Sequence, residues 1–220
     1  MATSEIEPLR QFADGAAAPF SIGAAKTDIL CDPAPWAERF AEERAIVCRD
    51  IFEPALLDRL LAAARLTQFR TDRVSGLGTR QAEDPQRVGG ILNLLLQRAN
   101  LFRWLEAATG RFGISLAEGR LHQTSAGAGE GLDWHDDLVD PRRVLGITIN
   151  FTEEDYSGGR FELRTPGSPD EIRAFDHDSL GTALIFDIGR DLEHRLLPVV
   201  SGGPRRVFAG WFLRAGGPPA

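Results

Sequence analysis

Residues 182–213 read TALIFDIGRDLEHRLLPVVSGGPRRVFAGWFL, three short apolar runs rich in β-branched and aromatic residues, parted by Gly, Asp and Pro. Runs of this length between turn-forming residues predict strands. The same texture extends back to about residue 114, through ISLAEGRLHQTS, RVLGITINF, GRFELR and EIRAF. Many short strands with turn signals between them predict an antiparallel sandwich or barrel of the jelly-roll type.

Upstream the pattern changes. WAERFAEERA and PALLDRLLAAARL repeat apolar residues at helical spacing, with AIVCRDIF as a strand between them, and Pro54 suits the first turn of the second helix. GGILNLLLQRA and LFRWLEAAT predict two further helices, the latter stopped by Gly110. The expected fold class is therefore α+β, a double-stranded β-helix (jelly roll) with supporting N-terminal helices. Residues 1–30 mix Ala, Gly, Pro and Ser with little periodicity and are expected to form a loosely structured arm. Residues 31–113 are expected to form a helical support region with a leading strand and 114–220 the jelly-roll core, together one domain. The polar segment 71–86, TDRVSGLGTRQAEDPQ, reads as a long loop that closes over a substrate, with Arg73, Arg80 and Asp84 as candidate contacts or merely solvated charges.

Composition excludes several classes. A net charge of −7 and scattered Lys and Arg leave no basic footprint for nucleic acid. No apolar run approaches the roughly 20 residues of a membrane helix, and the N-terminus lacks a secretory pattern, so a soluble cytoplasmic protein is expected. Cys31 and Cys48 form no C-x-x-C pair, which argues against both a disulfide framework and a thiolate zinc site.

Chemistry concentrates in the histidines. In DWHDDL, Asp137 follows His135 by two residues, so on a strand both side chains share a face. Imidazole and carboxylate together suit iron(II). Two histidines and one carboxylate on one face of an octahedron leave three positions for substrate and oxygen. His194, opening the strand HRLLPVV, is the candidate third ligand. A lone H-x-D is weak, since 4 His and 17 Asp in 220 residues give roughly 0.3 such pairs by chance. Arg205 and Arg206 strengthen it: they open an otherwise apolar strand, where an inward guanidinium needs an anion, and a carboxylate suits it bidentately.

With these residues in view, the chain resembles the 2-oxoglutarate and iron(II)-dependent oxygenases, particularly the prolyl 4-hydroxylase-like branch. The resemblance covers about residues 45–214, from AIVCRDIFEPALLDRLL through WHDD and INFTEEDYSGGRFEL to HRLLPVVSGGPRRVFAGWF. It implies His135, Asp137 and His194 as iron ligands and Arg205 or Arg206 as the residue binding the cosubstrate. Pro198 and Val199 follow the distal histidine as in similar members, and Trp211, six residues after Arg205, selects Arg205. Two departures stand out. Arg205 lies eleven residues after His194 instead of ten, which puts one extra residue in the SGGP turn. The tyrosine often found before H-x-D is missing from LHQTSAGAGEG, leaving His122, Gln123 or Thr124 as substitutes.

The activity so implied is 2-oxoglutarate- and Fe(II)-dependent hydroxylation of a C–H bond in an amino acid, a peptide or protein residue, or a small metabolite. It consumes O2 and releases succinate and CO2, with ascorbate as a candidate stimulant. The rival readings are a non-catalytic jelly-roll metal-binding or sensor module, and a nucleic-acid demethylase on the same scaffold. His177, among turn residues, reads as a solvated loop histidine. His122 reads equally as a packed or a pocket residue, and Tyr156, Gly158 and Gly159 read as a turn.

Overall fold

The computed structural model describes residues 10–12, 18–168 and 172–216. In chain order the elements are β1 (Arg10–Gln11), β2 (Phe20–Ile22), β3 (Thr27–Ile29), α1 (Ala34–Glu43), β4 (Ala45–Cys48) and α2 (Pro54–Arg65). A hairpin of β5 (Phe69–Val74) and β6 (Gly78–Glu83) leads into α3 (Val88–Leu96) and α4 (Ala99–Thr109). The β half runs β7 (Ile114–Thr124), β8 (Gly131–His135), β9 (Arg143–Asn150), β10 (Tyr156–Gly158), β11 (Phe161–Arg164) and β12 (Arg173–Phe175). It ends with β13 (Ala183–Asp187), β14 (Glu193–Leu196), β15 (Val199–Gly202) and β16 (Arg205–Arg214).

One curled sheet runs β1-β12-β11-β14-β8-β6-β7-β16-β9-β13-β4, a double-stranded β-helix closed through β6. That strand pairs with β7 at Gln81 and Ala82 and with β8 at Gly78 and Thr79, so it joins the two halves of the roll. Gly78 is required at this seam. Its φ is +149°, and a Cβ there would lie 2.1 Å from the carbonyl oxygen of Gly131.

The alternation of β16 divides the core. Phe208 and Phe212 pack toward the helices with Leu92, Leu101 and Leu105, while Arg205, Val207, Ala209 and Trp211 face the inside of the roll. A second cluster, including Phe161, Leu163, Leu184 and Phe186, fills the space between the sheet halves. The helices thus stiffen the outer face of the sheet whose inner face lines the site. None of them is long and apolar enough to cross a membrane.

Two expectations are corrected. Residues 71–86 are mostly hairpin, with β5 and β6 paired from Phe69↔Glu83 to Val74↔Gly78. Apolar alternation is weak there because charge pairs hold the strands: Asp72 stands opposite Arg80 with 3.1 Å between Oδ2 and Nε, and Arg70 reaches Asp84 at 2.9 Å. Of the expected arm, residues 1–9 and 13–17 lie outside the described residues, and the part from residue 18 onward includes the β2–β3 hairpin. Phe20 packs edge-on against Trp104, and the backbone of Ile22 bonds to Ile51 and Glu53.

Glu83, buried at the end of the hairpin, accepts the N–H groups of Arg87, Val88 and Gly89 at the start of α3 and of Leu121 on β7. Its carboxylate therefore caps a helix and stitches it to the sheet. Glu83→Ala should destabilise the protein by about 3 kcal/mol by orphaning buried donors, measured as a lowered denaturation midpoint in urea. An unchanged midpoint would show that water can replace the carboxylate.

Candidate active site

His135 closes β8 and stands directly opposite His194 of β14 in the strand register. The two rings lie 4.2 Å apart between centroids. The strand ends at His135, so Asp137 shares its face for another reason than strand periodicity. Asp137 adopts a left-handed φ of +61°, a region that Asp tolerates better than most residues, and this turn swings its carboxylate back between the imidazoles. Asp137 Oδ2 lies 3.2 Å from His194 Nε2, and Oδ1 lies 3.7 Å from His135 Nε2. One donor atom from each of the three falls within 4.8 Å of the others, a set that could hold one metal ion.

Neighbours fix these groups in a metal-binding form. Nδ1 of His135 lies 2.7 Å from the Asp133 carbonyl, which assigns the ring proton to Nδ1 and leaves Nε2 as the free electron pair. Burial, and next the charge of His194, push the His135 pKa down, against the pull of Asp137. Burial alone would raise Asp137. It is outweighed by the hydrogen bond and charge of His194, by His135 and by the Trp211 N–H, which hold the carboxyl well below its usual range. Trp211 Nε1 donates to Asp137 Oδ2 at 2.7 Å. The guanidinium of Arg143 lies 3.6 Å over the Trp211 ring and donates from Nη1 to the Asp137 backbone carbonyl and Oδ1 at 3.2 and 3.3 Å. Phe161 and Phe186 flank the ring of His194.

A cavity of about 330 Å³ runs from this cluster to Arg205, past Ile147, Phe161 and Val207. Arg205 is 4% exposed. Arg206, on the opposite face, is half-buried and donates to the Gln123 side chain at 3.0 Å. Of the two arginines only Arg205 lines the cavity. It packs across Gly159, whose φ is +63° and where a Cβ would meet the arginine Cδ at 2.6 Å. Arg205 Nη2 lies 3.3 Å from His177 Nδ1, and Tyr156 shares a hydrogen bond with the guanidinium. Among the described residues the Nε atom has no partner, and neither has Thr124 Oγ1, which stands across from it on β7.

His177 is therefore no solvated loop residue. It is buried, with Nε2 at 2.9 Å from Thr148 Oγ1, and burial with the nearby Arg205 charge holds it well below its ordinary pKa, hence neutral. Tyr156 likewise does more than turn the chain: it begins β10 and donates its hydroxyl to the His177 carbonyl at 3.1 Å. Both roles escaped the sequence reading. The one available signal was that Tyr156 is the chain's single tyrosine. Of the candidate substitutes for a tyrosine before H-x-D, His122 and Thr124 line the cavity, whereas Gln123 faces away with Arg206. From the hairpin, Val74, Leu77 and Arg80 reach the cavity, and Arg73 and Asp84 do not line it.

Residues 119–213, which span both halves of this site, match the 2OG-Fe(II) oxygenase superfamily. The chain carries a 2OG-Fe(II) oxygenase domain. Among solved structures, an oxidoreductase of the 2OG-Fe(II) oxygenase family from Burkholderia pseudomallei aligns with a TM-score of 0.70 at 14% identity, covering 96% of this chain and 98% of the other. A prolyl-4-hydroxylase from Pseudomonas putida aligns at 0.62 and 20% identity, over 84% of this chain and 100% of its own. A prolyl hydroxylase from Trichoplax adhaerens, in complex with a hypoxia inducible factor peptide fragment, aligns at 0.62 and 12% identity over 82% and 88%. No curated protein matches the chain in sequence. Residues 119–213 thus carry the match to the 2OG-Fe(II) oxygenases, whose chemistry uses Fe(II), 2-oxoglutarate and O2, within a fold similar to that of the prolyl-4-hydroxylase structure. The residues fit these groups. The imidazole and carboxylate set suits Fe(II), and the buried guanidinium with a free Nε suits a carboxylate.

Proposed function

We propose that His135, Asp137 and His194 hold the Fe(II), that Arg205 binds the distal carboxylate of 2-oxoglutarate, and that the oxygenase hydroxylates a C–H bond of a second substrate. One observation carries this reading: a single cavity has the three ligand side chains at one end and a buried, partly unsatisfied guanidinium at the other. A dicarboxylate can meet both. Bound there, Fe(II) supplies the activation of O2 that couples decarboxylation of 2-oxoglutarate to succinate with insertion of one oxygen atom into the substrate C–H bond. The balance is 2-oxoglutarate, O2 and R–H to succinate, CO2 and R–OH.

The chain's own residues orient and shield. Thr124 offers a hydroxyl beside Arg205 for the same carboxylate, and His177 and Tyr156 hold the guanidinium from behind without neutralising it. Ile147, Phe161, Phe186 and Val207 make apolar walls that keep water from the reacting centre. Val74 and Leu77 place the hairpin at the same cavity, which suits a covering role better than a free loop would, because β6 anchors it in the sheet. The second substrate belongs to one of three classes: a free amino acid, a residue of a peptide or protein, or a small metabolite.

Succinate formation with Fe(II), 2-oxoglutarate and ascorbate, read together with a product heavier by one oxygen, tests the reading. Succinate no higher than in an iron-free control would sink it.

Trp211 and Arg143 act through Asp137 in this scheme. Trp211→Phe keeps the ring under Arg143 but removes the N–H that fixes Oδ2. Iron affinity should fall by roughly 10- to 100-fold, as for other groups that orient a metal ligand. Competition with a calibrated chelator measures it. Unchanged affinity would mean that Arg143 alone suffices to hold the carboxylate.

A further inference from the structure

Side chains of β7 alternate, so Thr124, His122, Arg120 and Glu118 share the inner face with their β16 partners Arg205, Val207, Ala209 and Trp211. The cavity described above runs along this row from Thr124 and Arg205 to Trp211. At the other end lies a second cavity of about 390 Å³, reached by Asp72 and Asn93 as well as Glu118 and Arg120. The two cavities share Arg80, His122, Ala209 and Trp211. Their walls differ in kind. The first is mainly apolar between its polar ends, whereas the second sets Arg80 and Arg120 against Asp72 and Glu118.

Its polar groups are incompletely used. His122 is 8% exposed and its ring bonds to the Gln81 backbone, which leaves Nδ1 buried and, among the described residues, without a partner. Burial and the adjacent Arg80 charge keep this ring neutral, so Nδ1 is an acceptor in need of a donor. The Asn93 amide nitrogen donates to the Gly119 carbonyl at 3.2 Å, and that bond fixes the amide so that Oδ1 is the second buried acceptor without a partner among the described residues. On the donor side, Arg80 spends Nε on Asp72, and among the described residues its terminal nitrogens make no hydrogen bond.

We propose that this second cavity binds a free α-amino acid as the substrate to be hydroxylated. Its carboxylate pairs with Arg80, and its ammonium group with Glu118 and the neighbouring Asn93 Oδ1. The inference rests on the iron and 2-oxoglutarate reading given above and names the substrate class that reading leaves open. Charges of both signs within one small cavity match a zwitterion. A residue inside a peptide carries neither charge, and would offer the Arg80 terminal nitrogens no carboxylate and Glu118 no ammonium group. The volume lies within the roughly 300–1,000 Å³ typical of small-molecule sites. The shared wall sets direction: Trp211 lines both cavities and its N–H touches Asp137, so a side chain passing Trp211 points toward the metal ligands.

Equilibrium dialysis of the full-length protein, loaded with Fe(II) and 2-oxoglutarate under nitrogen, against an equimolar panel of the common L-amino acids tests the cavity directly. The matching N-acetyl amino acid amides form a second panel. At least one free amino acid should be retained and its blocked analogue should not. Arg80→Gln and Glu118→Gln should each weaken retention by roughly tenfold, the scale of one charge-assisted hydrogen bond. On admitting air, the retained amino acid should gain one oxygen and raise succinate output. Retention of no amino acid, equal retention of the blocked form, or full retention by both variants would overturn the proposal. Absence of bound iron and of succinate would instead strike the underlying oxygenase reading, while dialysis would still judge the cavity.

Discussion

His194→Ala should lose both its iron and all 2-oxoglutarate turnover, and His135→Ala and Asp137→Ala should do the same. The three donors belong to separate pieces of the chain, two facing strands and the turn that follows one of them. Among the described residues, this is the one group of three or more such side chains close enough to hold an ion. Loss of His194 leaves one imidazole and one carboxylate, too few for a facial set of three. It also opens the space flanked by Phe161 and Phe186, through which water can reach the remaining ligands. Iron per chain after anaerobic reconstitution and succinate per chain after air exposure are the measurements. A His194→Ala protein that kept one iron and full turnover would refute the ligand assignment, whereas folding, followed by circular dichroism, should survive in all three.

The strands behind this site were legible because half-buried strands keep a period of two. VFAGWFL alternates Phe208 and Phe212 outward to the helices against Ala209 and Trp211 inward, and the helices of the first half show their apolar faces as plainly. His135, Asp137, His194 and Arg205 stood out through residue type and spacing, although spacing gave the wrong reason for Asp137, which turns out of the strand to rejoin His135. The hairpin was hidden for a physical reason. Asp72 with Arg80 and Arg70 with Asp84 stabilise its pairing by charge, which a search for apolar alternation does not register. His177 and Tyr156 were hidden differently. Each stands among turn residues and is drawn inside by Arg205, a residue far along the chain, so no local window contains the cause of its burial. Phe20 and Ile22, within a segment read as loose, are likewise ordered by distant partners, Trp104 and Ile51.

Arg205→Ala should raise the 2-oxoglutarate concentration needed for half-maximal turnover by roughly 30-fold or more, equivalent to about 2 kcal/mol, while Arg206→Ala should change it little. Arg205 is 4% exposed, and among the described residues no carboxylate lies within 4.0 Å of it. Its contacts are the neutral His177 ring and the Tyr156 hydroxyl, and burial depresses its pKa. A guanidinium held in this way is costly to the free protein and gains most from an incoming anion. Arg206 already has Gln123 and points to the other face. Without 2-oxoglutarate, Arg205→Ala should melt close to the wild type, because removing an unpaired buried charge offsets the packing lost with the side chain. With 2-oxoglutarate and Fe(II), the wild type should gain in melting temperature and the Arg205→Ala variant should gain far less. Arg205→Lys should restore part of both effects, since it keeps the charge without the bidentate fork. A large loss of 2-oxoglutarate affinity in Arg206→Ala with none in Arg205→Ala would move the anchor by one residue, and with it the side of the sheet on which the cosubstrate lies.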